Sequence, residues 1–372
     1  MQVLVSHPFF WPHVLRGAER EVHDVGTGLA RRGHRVHLVT GQPTGVTSSG
    51  RYEDLTVRYV RTPLPSPLAR RGVTPEAAFA PVAAAAALAS RADVVLSYHY
   101  ADAYGVRLAD RVARRRRPRV LKLTGAVPRW YLDRHGSRVD RELVRRALGS
   151  ATEVWVNSPY VVEAMADWDA PLHVLPAGLD LETFRPSAPR SPEPTVLCTA
   201  APDDPRKRVV ELLDAWPAVV DALPGARLLL AQHAAPDLQR TLLERVPPAL
   251  RPSVSFLGRL SGVDLVRACS SAWVAVAPGV HEALGLATLE ALACGTPVVG
   301  ARSGATPWLL DDSSTGALYA PGDSDALASA VLAAAALAQQ PVTTEACRAA
   351  AARFAWPGIL DEVEHRLDSL LR

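Results

Sequence analysis

Two α/β halves, each built on a parallel sheet, are predicted for this chain of 372 residues from three features. Short Val- and Leu-rich runs alternate with helix-length segments along its whole length, the pattern of strands separated by covering helices. The alternation stops at SAPRSPEP (187–194) and then restarts. Hydrophobic residues make up 48% of the chain and charged residues 21%, which suits packed domains rather than a disordered chain.

Taken in order, QVLVS (2–6) and VHLVT (36–40) flank a helix starting near Gly17. DVVLS (93–97), VLKLT (120–124) and EVWVN (153–157) follow, separated by polar or Ala-rich helices. PAGLDLETFRP (176–186) then leads into the Pro/Ser stretch, which cannot continue a helix or a central strand and reads as an interdomain linker. The second half repeats the pattern with TVLCTA (195–200), RLLLAQ (227–232), VSFLG (254–258), AWVAVA (272–277) and PVVG (297–300). PGILDEVEHRLDSLLR (357–372) is an amphipathic helix. The expected divisions are residues 1–186, a linker at 187–194, and 195–356. Each half is Rossmann-like, with a ligand cleft expected between them, beyond the carboxyl ends of the strands.

Composition narrows the classes. Cys198, Cys269, Cys294 and Cys347 lie far apart without a CxxC, as expected for reduced, mostly buried thiols of a cytoplasmic protein. The chain opens directly on a strand, with no basic segment and apolar run of a secretory leader. The Ala-rich runs at 82–89 and 326–338 are shorter than the ~20 apolar residues of a spanning helix. Net charge is +3, yet residues 1–186 hold 26 Lys+Arg against 18 Asp+Glu. A basic first half suits an acidic acceptor or an anionic membrane surface, and arginines spread over solvated faces account for it almost as well. A membrane contact is the less favoured, and no nucleic-acid partner is expected. The Arg114–Arg117 run reads as a solvated helix end.

Familiar nucleotide and metal motifs are missing. No GxGxxG follows the first strand, no GxxxxGK[ST] occurs, and His281-Glu282 lacks the second His of HExxH because Gly285 stands there. Asp203-Asp204 before Pro205 reads as turn and cap chemistry, so no metal site is expected. The informative stretch is PGVHEALGLATLEALACGTPVVG (278–300). Glu282 precedes a Gly-interrupted turn, Leu286 and Leu289 start a helical run, and Glu290 is its one charge. A helix N-terminus favours phosphate, and carboxylates accept from paired sugar hydroxyls. One segment could thus grip both ends of a nucleotide sugar; a core carboxylate matched to an arginine and a solvated loop charge explain the residues equally well. Lys207, one of only two lysines (the other is Lys122), lies at a loop-to-helix junction after the first strand of the second half. There it would neutralise a departing diphosphate, with Arg206 and Arg208 adding charge, or simply form a solvated basic turn. Gly17 would let a ligand approach the first helix, or merely start it. His99 follows a strand end and would either orient an acceptor hydroxyl or serve structure.

On these motifs the chain resembles the retaining glycosyltransferases of family 4, with the GT-B fold. The closest correspondence is Glu282-x7-Glu290 followed by GTPVV; RGAERE (16–21), PAGLDLETFRP, DDPRKR (203–208), FLGRL (256–260) and the closing helix add to it. The resemblance implies a nucleotide-sugar donor on the second domain, a hydroxyl acceptor, no cofactor and no required metal. It implies that Glu290 holds the ribose hydroxyls. Glu282 and the backbone of Leu284, Gly285 and Leu286 would hold sugar and diphosphate, Lys207 would neutralise the diphosphate, and Gly17 would contact it from the first domain. Arg259 and Leu260 would lie near the base, and helix 357–372 would cross back to the first domain. The sequence departs from the family at Arg16, which replaces the first of two glycines, and at Ala201, Thr124, Leu284 and Trp308. Arg16, Arg206 or Arg208 is the expected substitute for the arginine lost at Ala201, and His99 for the histidine lost at Thr124. These departures suggest a specialised small-molecule acceptor. A lipid- or polysaccharide-directed glycosyltransferase of the same fold, phosphorolysis or epimerisation on a related two-domain fold, and a non-catalytic binding scaffold are the competing expectations.

Overall fold

The computed structural model describes residues 1–10, 17–42, 47–62, 75–136 and 138–372. The chain divides into two compact units, Met1–Ala177 with Pro357–Arg372, and Gly178–Trp356.

The first unit contains β1 (Gln2–His7), β2 (Arg35–Gln42), β3 (Ser48–Tyr52), β4 (Leu55–Arg61), β5 (Val94–Ser97), β6 (Arg119–Leu123), β7 (Glu153–Val156) and β8 (Leu172–Val174). They form one sheet in the order β3-β4-β2-β1-β5-β6-β7-β8, parallel except for the β3–β4 pair. The central strands are buried throughout, as in the all-buried VVLS of β5, because helices cover both faces. The edge hairpin β3–β4 escaped the sequence reading: SSGRY is nearly all exposed and carries no apolar alternation. Helix Gly17–Arg31 follows β1, and Gly26-Thr27-Gly28 lies within it. The terminal helix, Trp356–Leu371, buries Ile359, Leu360, Val363 and Leu367 as one stripe. Its polar side pairs Glu364 with Arg32 at 2.9 Å and His34 at 2.6 Å, and Arg366 with Glu153 at 3.4 Å.

The second unit is a fully parallel sheet of β9 (Thr195–Cys198), β10 (Arg227–Leu230), β11 (Val254–Phe256), β12 (Val274–Ala277), β13 (Val298–Ala301) and β14 (Gly316–Tyr319). Their order is β11-β10-β9-β12-β13-β14, a doubly wound arrangement that reverses between β9 and β12. Helices Val209–Ala222 and Ser324–Ala338 pack together over one face, where Leu212, Trp216 and Val219 meet Leu327, Val331 and Ala334 in the core. The four-residue β14, GALY, has no β-branched residue and gave no strand signal.

The expected linker is corrected by the structure. The boundary falls at Ala177/Gly178, and 187–194 is tied into the second unit. Ser191 N donates to Ser271 O at 2.8 Å. The Arg190 guanidinium donates to Ala272 O, Gly295 O and the Thr296 hydroxyl. Prolines exclude regular structure here, but side-chain and backbone donors still anchor the segment.

Candidate active site

The order reversal in the second unit puts the loops after β9 and β12 side by side. After β9, Asp204 caps a single turn, Pro205–Lys207, accepting from Arg206 N at 2.9 Å. Arg208 then takes a left-handed φ of 49° and helix Val209–Ala222 begins. After β12, Val280 N donates to Arg206 O at 2.9 Å, which fastens the two loops together. The loop after β13 supports them: Ala305 N donates to Glu282 O at 2.8 Å, and His281 N to the Ser303 hydroxyl at 3.1 Å. Gly304 makes this approach possible. Its φ is +63°, and a Cβ there would lie 2.6 Å from both N and O of Glu282.

These loops bring Lys207 Nζ to 2.7 Å from Glu282 Oε1, with the side chains 30% and 22% exposed. A partly exposed pair is held weakly enough for a ligand to compete for either member. Gly285, at φ 102°, precedes helix Leu286–Ala293, which no side chain caps. Thr288 N already donates to Gly285 O at 3.0 Å, which leaves the N–H groups of Leu286 and Ala287 at the end that favours an anion. Glu290 is half-buried one turn into the helix, and Leu284 is buried, which leaves only its backbone for a ligand. Lys207 and Glu282 therefore lie on adjoining loops, and Gly285 and Leu286 open the helix that follows the second of them.

The arginines flanking Lys207 already have carboxylate partners. Arg206 pairs with Asp204 at 2.6 Å. Arg208 Nε donates to Glu211 Oε1 at 2.6 Å, and Glu211 Oε2 accepts from the Tyr319 hydroxyl at 3.0 Å. Arg206 is 60% exposed and Arg208 34%, so a ligand can compete for these pairs as it can for Lys207–Glu282. Arg259 is exposed and Leu260 half-buried in the loop after β11. Trp308 packs edge-on against Phe354, ring centroids 5.2 Å apart, which gives the family departure at this position a packing role. Among the described residues no three His, Cys, Asp or Glu side chains assemble as a metal site.

Gly17 and His99 belong to the first unit, where Gly17 opens helix Gly17–Arg31; Arg16 lies outside the described residues. His99 has a structural role. It caps helix Tyr100–Val112, its Nδ1 accepting from Ala101 N at 3.2 Å, because a helix start leaves N–H groups without partners. The ring proton therefore resides on Nε2. Burial lowers the His99 pKa to about 4, against an opposing pull from Asp140. Between about pH 6.5 and 4 the unfolded chain takes up a proton that the folded one refuses, so this residue's contribution to stability falls as pH drops through that window. His99→Asn, which keeps a capping side chain, should flatten that slope in urea unfolding followed from pH 7 to 4.5; an unchanged slope would remove His99 as its source.

Sequence reasoning missed a buried network in the same unit. Lys122 Nζ lies 3.2 Å from Glu21 Oε1, 2.6 Å from Asn157 Oδ1 and 2.5 Å from Leu175 O. Asn157 also donates to Thr124 O at 3.1 Å and accepts from Ala177 N at 3.2 Å. A lone lysine inside an apolar strand of an arginine-rich chain was the available signal.

Comparison with known proteins decides the family. A model described as Glycosyltransferase Family 4 matches residues 15–183, and one described as Glycosyl transferases group 1 matches residues 193–336. The chain belongs to the family 4, group 1 glycosyltransferases. It is 36% identical over 199 residues to a D-inositol 3-phosphate glycosyltransferase of Saccharomonospora viridis, a match covering 48% of the chain and 46% of that relative. The chain thus matches such curated relatives over about half their length. The fold is GT-B: a sucrose-phosphate synthase of Thermosynechococcus elongatus superposes with a TM-score of 0.82 at 20% identity, over 99% of this chain and 98% of the other. Anabaena HepE, solved in complex with UDP-glucose, gives 0.74 at 20% identity, over 99% and 100%.

Proposed function

We propose that this chain is a cytoplasmic, retaining, metal-independent glycosyltransferase that moves a sugar from a nucleoside-diphosphate sugar to a hydroxyl of a small soluble acceptor. One observation carries the reading: the Lys207–Glu282 pair at the strand-order reversal of the second unit, beside an uncapped helix N-terminus. Lys207 and the first-turn N–H groups neutralise the diphosphate, the role a metal would otherwise take. Glu282, once exchanged from Lys207, accepts from sugar hydroxyls, and Glu290 accepts from the ribose. The bond from the anomeric carbon to the phosphate oxygen breaks, and the acceptor oxygen bonds that carbon on the same face. The acceptor proton passes to the leaving phosphate oxygen, so no protein base is required.

The neighbour solved with UDP-glucose supports a nucleotide-sugar donor. The relatives named for D-inositol 3-phosphate and for phosphatidyl-myo-inositol support an acceptor carrying an inositol-type polyol, free or lipid-borne. A thermal-shift screen of nucleotide sugars tests the donor, since a ligand of the native state raises its melting temperature. Glu290→Ala should weaken the donor that emerges about tenfold, the loss of roughly one charge-assisted hydrogen bond. Unchanged affinity by calorimetry would remove Glu290 from the donor site. Donor binding without transfer or slow donor hydrolysis would instead identify a non-catalytic binding protein.

A further inference from the structure

Four arginines line one groove on the first unit. Helix Tyr100–Val112 presents Tyr104, Arg107 and Arg111 at spacings of three and four, which places them on one face. Helix Arg138–Leu148 packs beside it and contributes Arg145 and Arg146, leaving a groove of about 440 Å³. Glu142 is the one carboxylate bonded there, 2.7 Å from Arg145 Nη2 and 2.5 Å from Arg146 Nε. Arg146 also donates to the Tyr104 hydroxyl at 2.8 Å, and Arg107 to Arg146 O at 3.3 Å. Arg111 is exposed and has no side-chain partner among the described residues.

Helix ends account for only part of this charge. Arg111, Arg145 and Arg146 sit in last turns, where each helix end carries roughly half a negative charge. Two such ends and Glu142 supply about two negative charges against four guanidiniums. Arg107 lies a full turn before the end of its helix and still converges on the same groove. The surplus is about the charge of one phosphate, and the guanidinium forks match its oxygens.

We propose that this groove binds a phosphate group. It is separate from the donor-site residues, which belong to the second unit, and does not depend on the function proposed above. Arg111 lies about 18 Å along the helix from His99, toward the end remote from the strand carboxyl ends, at 1.5 Å per residue. The phosphate has two possible sources, a phospholipid headgroup or a soluble phosphate. The rim is what a lipid surface would meet: Leu108 is 44% exposed, Val112 78% and Val139 65%.

The test uses the full chain. One arm is sedimentation with phosphatidylcholine vesicles, with and without added phosphatidylglycerol; the other is calorimetry with inorganic pyrophosphate. Arg107→Glu/Arg111→Glu removes two cations that no carboxylate holds, and Arg51→Glu/Arg58→Glu, two exposed sites on β3 and β4, is the charge-matched control. The double variant should lose about tenfold or more in whichever arm the wild type binds, since each basic residue near an anionic surface contributes about 1 kcal/mol. The control should change less than twofold. Loss confined to vesicles assigns the phosphate to a headgroup, and loss with pyrophosphate assigns a soluble ligand. Wild-type binding to neither probe, or equal loss in the control, overturns the proposal. Circular dichroism checks that the double variant folds, and Arg111→Gln alone should show a smaller loss in the same arm if it does not.

Discussion

Lys207→Ala is expected to lower sugar transfer by ~10²-fold or more, the typical cost of removing one preorganised electrostatic donor. The reason is twofold. The two strand-end loops hold the ammonium at the order reversal, beside Glu282. Its removal also leaves Glu282 unpaired, a negative charge beside the position of a negative leaving group. The two effects can be separated. If the stranded carboxylate contributes, Lys207→Ala/Glu282→Gln should recover part of the loss relative to Lys207→Ala, although Glu282→Gln alone is itself impaired. Single-turnover transfer with the donor found by screening measures both. Wild-type turnover in Lys207→Ala would remove this residue from the mechanism.

The largest stability effect should come from Lys122→Met. Lys122 is 1% exposed, and its three partners are a carboxylate, an amide oxygen and a backbone carbonyl. Removing one member of a buried ion pair costs about 3–5 kcal/mol, because the other charge remains buried without compensation. Burial already raises the Glu21 pKa, while Lys122 pulls it back down. Without the lysine the folded-state pKa climbs further above 4.5. The folded variant then holds a proton that its unfolded chain releases, so its stability is fullest below pH 4.5 and declines as pH rises through the folded pKa. Urea unfolding of Lys122→Met should therefore show a deficit that grows from pH 5 to 8. Glu21→Gln/Lys122→Met should recover part of it. A deficit below about 1 kcal/mol at pH 8 would show that the network relaxes at little cost.

Much of this architecture was legible in the residues, for identifiable reasons. Parallel strands buried on both faces must be apolar runs, so VVLS, TVLC and VAVA declare themselves. The edge strand SSGRY is solvated and has no such requirement. Lys207 and Glu282 were legible as members of one site because both follow strands that this topology places together. The partner each arginine takes in the folded chain, Asp204 for Arg206 and Glu211 for Arg208, was not. His99 illustrates the same difficulty, since a ring at a strand end serves equally as a catalyst or as the cap of the next helix. The first-unit network was hidden because Glu21, Lys122 and Asn157 lie more than a hundred residues apart in total span.

All four sulfhydryls are free and buried, and burial pushes those of Cys198 and Cys347 to about 11 and about 12. A hydrogen bond with Cys269 draws the Cys294 thiol below its ordinary value instead, but at 2% exposure it is shielded from maleimides like the others. One engineered surface thiol, such as Val263→Cys at a site 72% exposed, should take up a fluorophore with little background. The wild-type cysteines can then stay in place while an optical signal from that single label follows donor addition in solution.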